Sequence, residues 1–123
     1  MIIGIGVDVV GISRFEDLMK RSPGVIGRVL TESEQRDTDG RMRASESLAA
    51  RFAAKEAIAK VLGSPGSLQW HDCHVATSES GQPSILLTGT VEAAAQAAGI
   101  AKWHLSLTHD AGIATAFVVA ESG

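Results

Sequence analysis

Residues 102–120 read KWHLSLTHDAGIATAFVVA. Two runs rich in β-branched and apolar residues, 102–109 and 113–120, flank Asp110-Ala111-Gly112, a pattern that predicts a β-hairpin. A hairpin joins antiparallel strands, whereas parallel neighbours need a crossover of about a dozen residues or more. Working back along the chain, Thr90 predicts the cap of an Ala-rich helix ending near Gly99. Ser80-Gly81-Gln82-Pro83 predicts a turn between a strand at 68–78 and another at 84–87. Residues 44–62 predict the longest helix, with Gly63 just past its end, Pro65 beyond, and an apolar stripe through Leu48, Phe52, Ala59 and Leu62. Residues 37–43 are polar around Gly40 and read as a loop. Ser13-x-x-Glu16 and Thr31-x-x-Glu34 are capping-box patterns that predict short helices, the first running to about Arg21 before Pro23-Gly24. Residues 2–10 are β-branched and predict a buried strand. The order is strand, helices, hairpin, helix, hairpin. It predicts an α+β fold, a mostly antiparallel sheet packed against one long and several short helices, rather than a doubly wound βαβ fold.

The chain has 123 residues, without repeats or a linker, and reads as a single domain over 1–123. It is 45% hydrophobic and 20% charged, an ordinary globular balance. No apolar run approaches the ~20 residues of a membrane span. Met1-Ile2-Ile3-Gly4 has no basic region of the kind that opens a signal peptide. The one cysteine, Cys73, excludes an internal disulfide and a multi-cysteine metal site, so a reducing cytoplasm is the expected compartment. The net charge of −3, aromatics at 4% and the absence of Tyr argue against a nucleic-acid surface.

Five constellations bear on chemistry. In residues 2–10, Ile3, Ile5, Val7 and Val9 share one face, and Gly4, Gly6 and Asp8 share the other. Gly4-Ile5-Gly6 is no dinucleotide loop, because Val9 stands where a third glycine belongs and the glycines fall inside the strand. An Asp at a strand end is ordinarily satisfied by local N–H groups. Bare glycine backbone beside it also lets an anion or a metal approach closely. Next, Glu56 and Lys60 are four residues apart on the long helix, an ordinary surface pair. The small neighbours Ala53, Ala57 and Ala59 leave Glu56 room. Carboxylates at Asp8 and Glu56 suit a hard cation such as Mg²⁺, which takes one or two carboxylates and completes its shell with phosphate and water. Lys60 then suits the same phosphates as a point charge.

The third constellation is 104–110. His104, Ser106 and Thr108 face one way, Leu105 and Leu107 face the core, and His109 stands where the strand ends. A Ser106–His109–Asp110 triad does not assemble, since Ser106 and His109 lie on opposite faces. His109 is either a hairpin-corner residue or a ligand for phosphate or hydroxyl. His71-Asp72-Cys73-His74 has a metal-like composition but lacks the usual spacing of paired zinc ligands. Arg14, Lys20, Arg21 and Arg28 form a local basic stretch, either a solvated face or a dock for an acidic partner.

Gly4-Ile5-Gly6-Val7-Asp8-Val9-Val10 with Arg14-Phe15, Arg51-Phe52-Ala53-Ala54-Lys55-Glu56-Ala57-Ile58-Ala59-Lys60 and Leu105-Ser106-Leu107-Thr108-His109-Asp110 together resemble the holo-[acyl-carrier-protein] synthases, the short class of 4′-phosphopantetheinyl transferases. Gly81-x-Pro83 agrees, and the resemblance covers essentially the whole chain. It implies Mg-dependent transfer of 4′-phosphopantetheine from coenzyme A to a serine of apo acyl carrier protein, releasing adenosine 3′,5′-bisphosphate for fatty acid biosynthesis. It implies a homotrimer with sites at subunit interfaces. By the same resemblance Asp8 and Glu56 are metal carboxylates, and Arg51, Lys60, Gly63 and Pro83 belong to the coenzyme site. His109 stands beside the reaction, and Arg14 and Arg21 dock the carrier. The serine proton then goes to Glu56 or to a water on the metal, with His109 binding phosphate or steering that water. Residues 64–67, Ser-Pro-Gly-Ser, depart from the family's commoner loop. The alternative reading is a non-catalytic carrier- or nucleotide-binding module on the same fold.

Overall fold

The structure is a computed structural model and describes residues 1–123. Strands β1 (Ile2–Gly11), β5 (Ile113–Glu121) and β4 (Lys102–Asp110) form an antiparallel sheet in the order β1-β5-β4. Strands β2 (Cys73–Thr77) and β3 (Pro83–Leu87) form a separate hairpin, and β3 lies against β4. Helices α1 (Ile12–Arg21) and α2 (Gly24–Val29) follow β1, α3 (Ser45–Val61) lies across the sheet, and α4 (Gly89–Ala97) links β3 to β4. The α+β reading and its antiparallel sheet therefore hold. No helix is long and apolar enough to cross a membrane.

The β4–β5 hairpin closes through a two-residue loop, Asp110 pairing with Ile113. Ala111 and Gly112 both have positive φ, +50° and +80°, as a type I′ turn requires; glycine meets that freely and alanine under strain.

The predicted amphipathic stripe of α3 is not what the helix shows. Leu48, Ala49, Ala50, Arg51, Ala53, Ala54, Lys55, Ala57 and Ile58 are all buried, so the helix is covered nearly all round. Its alanines cluster with Ala114, Ala116 and Val118 of β5, and small residues on both sides let helix and sheet approach closely. At the C-terminal end Ser64 N–H bonds to Ala59 O (2.7 Å) and Gly63 N–H to Lys60 O (3.2 Å), the Schellman pairing expected of Gly63.

Strand β1 is in place, but its two faces are reversed from the expectation. A Cβ on Gly6 would lie 2.3 Å from the Ala57 carbonyl oxygen, and one on Gly4 would lie 2.9 Å from Val61 Cγ1. The glycines are therefore the seat of α3, not bare backbone open to a ligand. The branched face looks outward: Ile5 is 58% exposed and Val9 57%, and the apolar surface continues onto Phe117 and Ile113 of β5.

Other local signals were overridden. Helix α1 starts after Gly11 with no side-chain cap, and Glu16 instead accepts from Ser45 Oγ at 2.9 Å. The Thr31/Glu34 capping box forms in both directions, 2.8 and 3.3 Å, yet only a turn results. The predicted strand at 68–78 shortens to Cys73–Thr77, preceded by a 3₁₀ turn at Trp70–Asp72. Thr90 does not cap α4; Asp72 Oδ2 accepts from both its N–H (2.8 Å) and its hydroxyl (2.7 Å).

Candidate functional site

Asp8 gains its position from the glycine seat. Gly4 sits under Val61 and Gly6 under Ala57. Two strand residues advance ~6.7 Å and four helical residues ~6 Å, so the next inward strand residue arrives one helical turn earlier. That residue is Asp8, which shares an open cleft with Phe52 and Glu56. Lys60 Nζ donates to Asp8 Oδ1 at 2.8 Å and to Val7 O at 3.2 Å. The expected Glu56–Lys60 pair is thus replaced by Asp8–Lys60. Burial raises the Glu56 carboxyl above its ordinary 4.5, the charge of Asp8 raises it further, and Lys60 opposes both. The hydrogen bond to Asp8 pushes the Lys60 ammonium up. Arg14 and Arg21 line the same cleft. They come from α1, whose exposed face they occupy; Lys20 and Arg28 are exposed but stand outside the cleft.

Glu56 also borders a second cavity of about 290 Å³, walled by Ala59, Ser64, Pro65, Gly66, Trp70, Cys73 and Val91 among others. The loop following Gly63 forms one wall, and Ser64 holds a positive φ of +50° there. Glu56 therefore stands between a charged cleft, lined by Asp8, Asp17, Arg14 and Arg21, and this more apolar cavity.

Arg51 lies elsewhere. It is five residues from Glu56, about 140° around the helix, and lines a third cavity with Arg43, Ser47, Thr77, Gly81, Pro83, Thr108 and His109. His109 is on β4 opposite Ala114, one step beyond Leu107 on the face that Leu105 and Leu107 turn to the core. Arg51 is only 5% exposed, and burial first, then the neighbouring Arg43, lowers its guanidinium to about 10. Its Nη1 donates to Ser47 Oγ (2.8 Å) and its Nη2 to Thr77 Oγ1 (2.6 Å), while buried Nε has no partner. Buried Arg51 and half-buried Arg43, neither of them ion-paired with a carboxylate, give this cavity a positive lining suited to an anion.

One chain thus brings together Asp8, Glu56, Lys60, Arg14 and Arg21, and separately Arg51, Pro83 and His109. It does not assemble a metal site at 71–74: His71 Nε2 pairs with Gly27 O (2.8 Å), Asp72 holds α4, and Cys73 is buried with its thiol pushed up to about 12 by desolvation. His74 Nδ1 lies 3.4 Å from Thr31 Oγ1. No group of three or more His, Cys, Asp or Glu side chains could hold a metal. Sequence reasoning missed Arg43, Ser47 and Thr77. It also missed a buried pair, Lys55 with Glu34, for which the capping box was the only signal, and that signal pointed to a helix.

Comparison with known proteins gives a consistent picture. Residues 4–118 match the family model described as the 4′-phosphopantetheinyl transferase superfamily. A holo-[acyl-carrier-protein] synthase of Frankia alni is 54% identical over 98% of each chain. The crystal structure of the Neisseria meningitidis holo-[acyl-carrier-protein] synthase superposes with a TM-score of 0.86 at 32% identity, covering 99% of this chain and 100% of that one. The Helicobacter pylori synthase, solved in complex with coenzyme A, superposes at 0.80 with 32% identity over 96% and 100%.

Proposed function

From the premise that this chain belongs to the 4′-phosphopantetheinyl transferase superfamily, among its holo-[acyl-carrier-protein] synthases, we propose that it moves 4′-phosphopantetheine from coenzyme A to a serine of apo acyl carrier protein. Adenosine 3′,5′-bisphosphate is the second product. The observation that carries this reading is the convergence of Asp8, Glu56 and Lys60 in a cleft rimmed by Arg14 and Arg21.

Mg²⁺ fits the donor set. Burial raises the Glu56 carboxyl first and the charge of Asp8 raises it further, and a divalent cation beside the two carboxylates would relieve that repulsion. Mg²⁺ needs no all-protein cage when substrate phosphate and water complete its shell. Asp8 and Glu56 would hold it, and it would neutralise charge on the departing phosphate.

The protein's own work is positioning. Arg14 and Arg21 draw the acidic carrier to the rim, which raises encounter rate and fixes its orientation. Glu56 accepts the serine proton. Lys60 offers its ammonium to the coenzyme diphosphate while bonded to Asp8. Arg51, Pro83 and His109 complete the coenzyme site from a neighbouring subunit of a homotrimer. Two features support that assembly. These three residues lie on a different side of α3 from Glu56, and the outward face of β1 and β5 carries an apolar surface suited to burial against further copies.

The test is an intact-mass assay with apo acyl carrier protein, coenzyme A and Mg²⁺. The carrier gains one phosphopantetheine, and Glu56→Gln slows turnover by about 10²–10⁴-fold. Near-normal turnover of that variant at saturating Mg²⁺ would remove Glu56 as the base, and no mass gain would remove the transferase reading.

A further inference from the structure

We infer that the hydroxyls of Thr77 and Ser47 are positioning groups that set the plane of the Arg51 guanidinium for a coenzyme phosphate. The inference rests on the coenzyme site proposed above.

A buried arginine is ordinarily neutralised by a carboxylate. Arg51 is not: the ion pairs of this chain join Lys55 to Glu34, Lys60 to Asp8, Arg36 to Glu32 and His104 to Glu121. Its acceptors are all neutral. Nη1 donates to Ser47 Oγ at 2.8 Å and to Ser47 O at 3.3 Å, and Nη2 donates to Thr77 Oγ1 at 2.6 Å. Of the five N–H bonds of a guanidinium, that leaves Nε–H and one on Nη2, and Nε is buried without a partner. Neutral acceptors orient the group without cancelling its charge, so the full cation remains for an anion. A carboxylate in place of either hydroxyl would hold the arginine equally well and compete with the ligand.

The two clamps come from different elements. Ser47 is one turn earlier on α3, so its place is set by the helix itself. Thr77 is the last residue of β2, paired with Pro83 at the hairpin mouth. Together they grip the guanidinium from both ends. Ser47 Oγ also accepts from Arg43 Nη1 at 3.4 Å, which keeps a second cation beside the first against their mutual repulsion. An anion entering between them relieves that repulsion. Thr77 Oγ1 accepts from Arg51 and so retains its own proton to donate.

The experiment measures kcat and the KM for coenzyme A, with saturating apo carrier protein, for Thr77→Val, Thr77→Ser, Arg51→Lys and the Thr77→Val/Arg51→Lys double variant. Thr77→Val should raise KM about tenfold, the effect of one hydrogen bond to a charged group, with kcat within about twofold. Thr77→Ser keeps the hydroxyl and should stay within about twofold of the parent. In the Arg51→Lys background, Thr77→Val should add little, because it acts through the arginine. A parental KM for Thr77→Val beside a raised KM for Arg51→Lys overturns the positioning role and leaves the coenzyme site standing. An unchanged KM for Arg51→Lys overturns the placement of Arg51 in that site, and this inference with it. If Thr77→Val does not fold, Ser47→Ala makes the same comparison, and a parental KM there overturns the inference.

Discussion

Helix α3 carries lysines at 55 and 60, and each bonds a carboxylate at nearly the same distance, 2.7 Å for Lys55–Glu34 and 2.8 Å for Lys60–Asp8. Their surroundings differ. The side chains of the first pair are 1% and 0% exposed, against 53% and 16% for the second. In the buried pair each carboxylate oxygen of Glu34 has further partners: Oε1 also accepts from Thr31 N–H and Oε2 from Val75 N–H, both at 2.8 Å. Lys55 also donates to Val29 O (2.7 Å) and Trp70 O (3.1 Å). That network ties α2, the 31–35 turn, the 3₁₀ turn and β2 to α3. The outer pair has solvent beside it and lies against a cleft. One geometry therefore stands in two settings: burial makes the first a structural pin, and the second stays open to solvent, as the ligand role proposed for it requires.

The largest expected effect is on the buried pair. Glu34→Gln leaves Lys55 without a counter-ion and sets an amide N–H against the Val75 N–H. It should cost about 3 kcal/mol or more, lowering Tm by on the order of 10 °C, as a thermal melt would read. A melt within a degree or two of the parent would mean the pair is no pin. Gly6→Ala comes next, since its Cβ would need to move away from the Ala57 carbonyl, 2.3 Å distant. Overpacking of that kind costs ~1–3 kcal/mol. It lifts α3 from β1 on the Asp8 side, so kcat/KM should fall along with Tm; stability loss with intact activity would separate the seat from the site. Lys60→Met has the smallest expected effect on Tm, no resolvable change, while the KM for coenzyme A rises on the order of tenfold. A melt as depressed as that of Glu34→Gln would erase the contrast between the two lysines.

The fold was legible where chain-local physics decides it. The β4–β5 turn, the end of α3 at Gly63 and the Gly81–Pro83 reversal all rest on backbone conformations that few residues adopt. The reading failed where a partner element decides. Thr31 and Glu34 form their capping box, but Glu34 continues inward to Lys55, twenty-one residues on, and the turn stops there. Ile3, Ile5, Val7 and Val9 have the pattern of a buried face whether or not anything covers them. The candidate site was legible in Asp8 and Glu56 as residue types. Thr77 and Ser47 were not, because a hydroxyl carries no mark of which distant arginine it will hold.

By itself the sequence determined the order of most elements, their antiparallel pairing and, through resemblance, the family. Side-chain alternation, glycine placement and turn residues act over a few positions, and the chain states them directly. Only the tertiary structure decided which face of β1 is covered and which lysine is a buried pin and which stands exposed beside a cleft. Those outcomes depend on what packs against each group. The 2.3 Å between a Cβ on Gly6 and the Ala57 carbonyl brings together positions fifty-one residues apart, a relation that no local pattern contains.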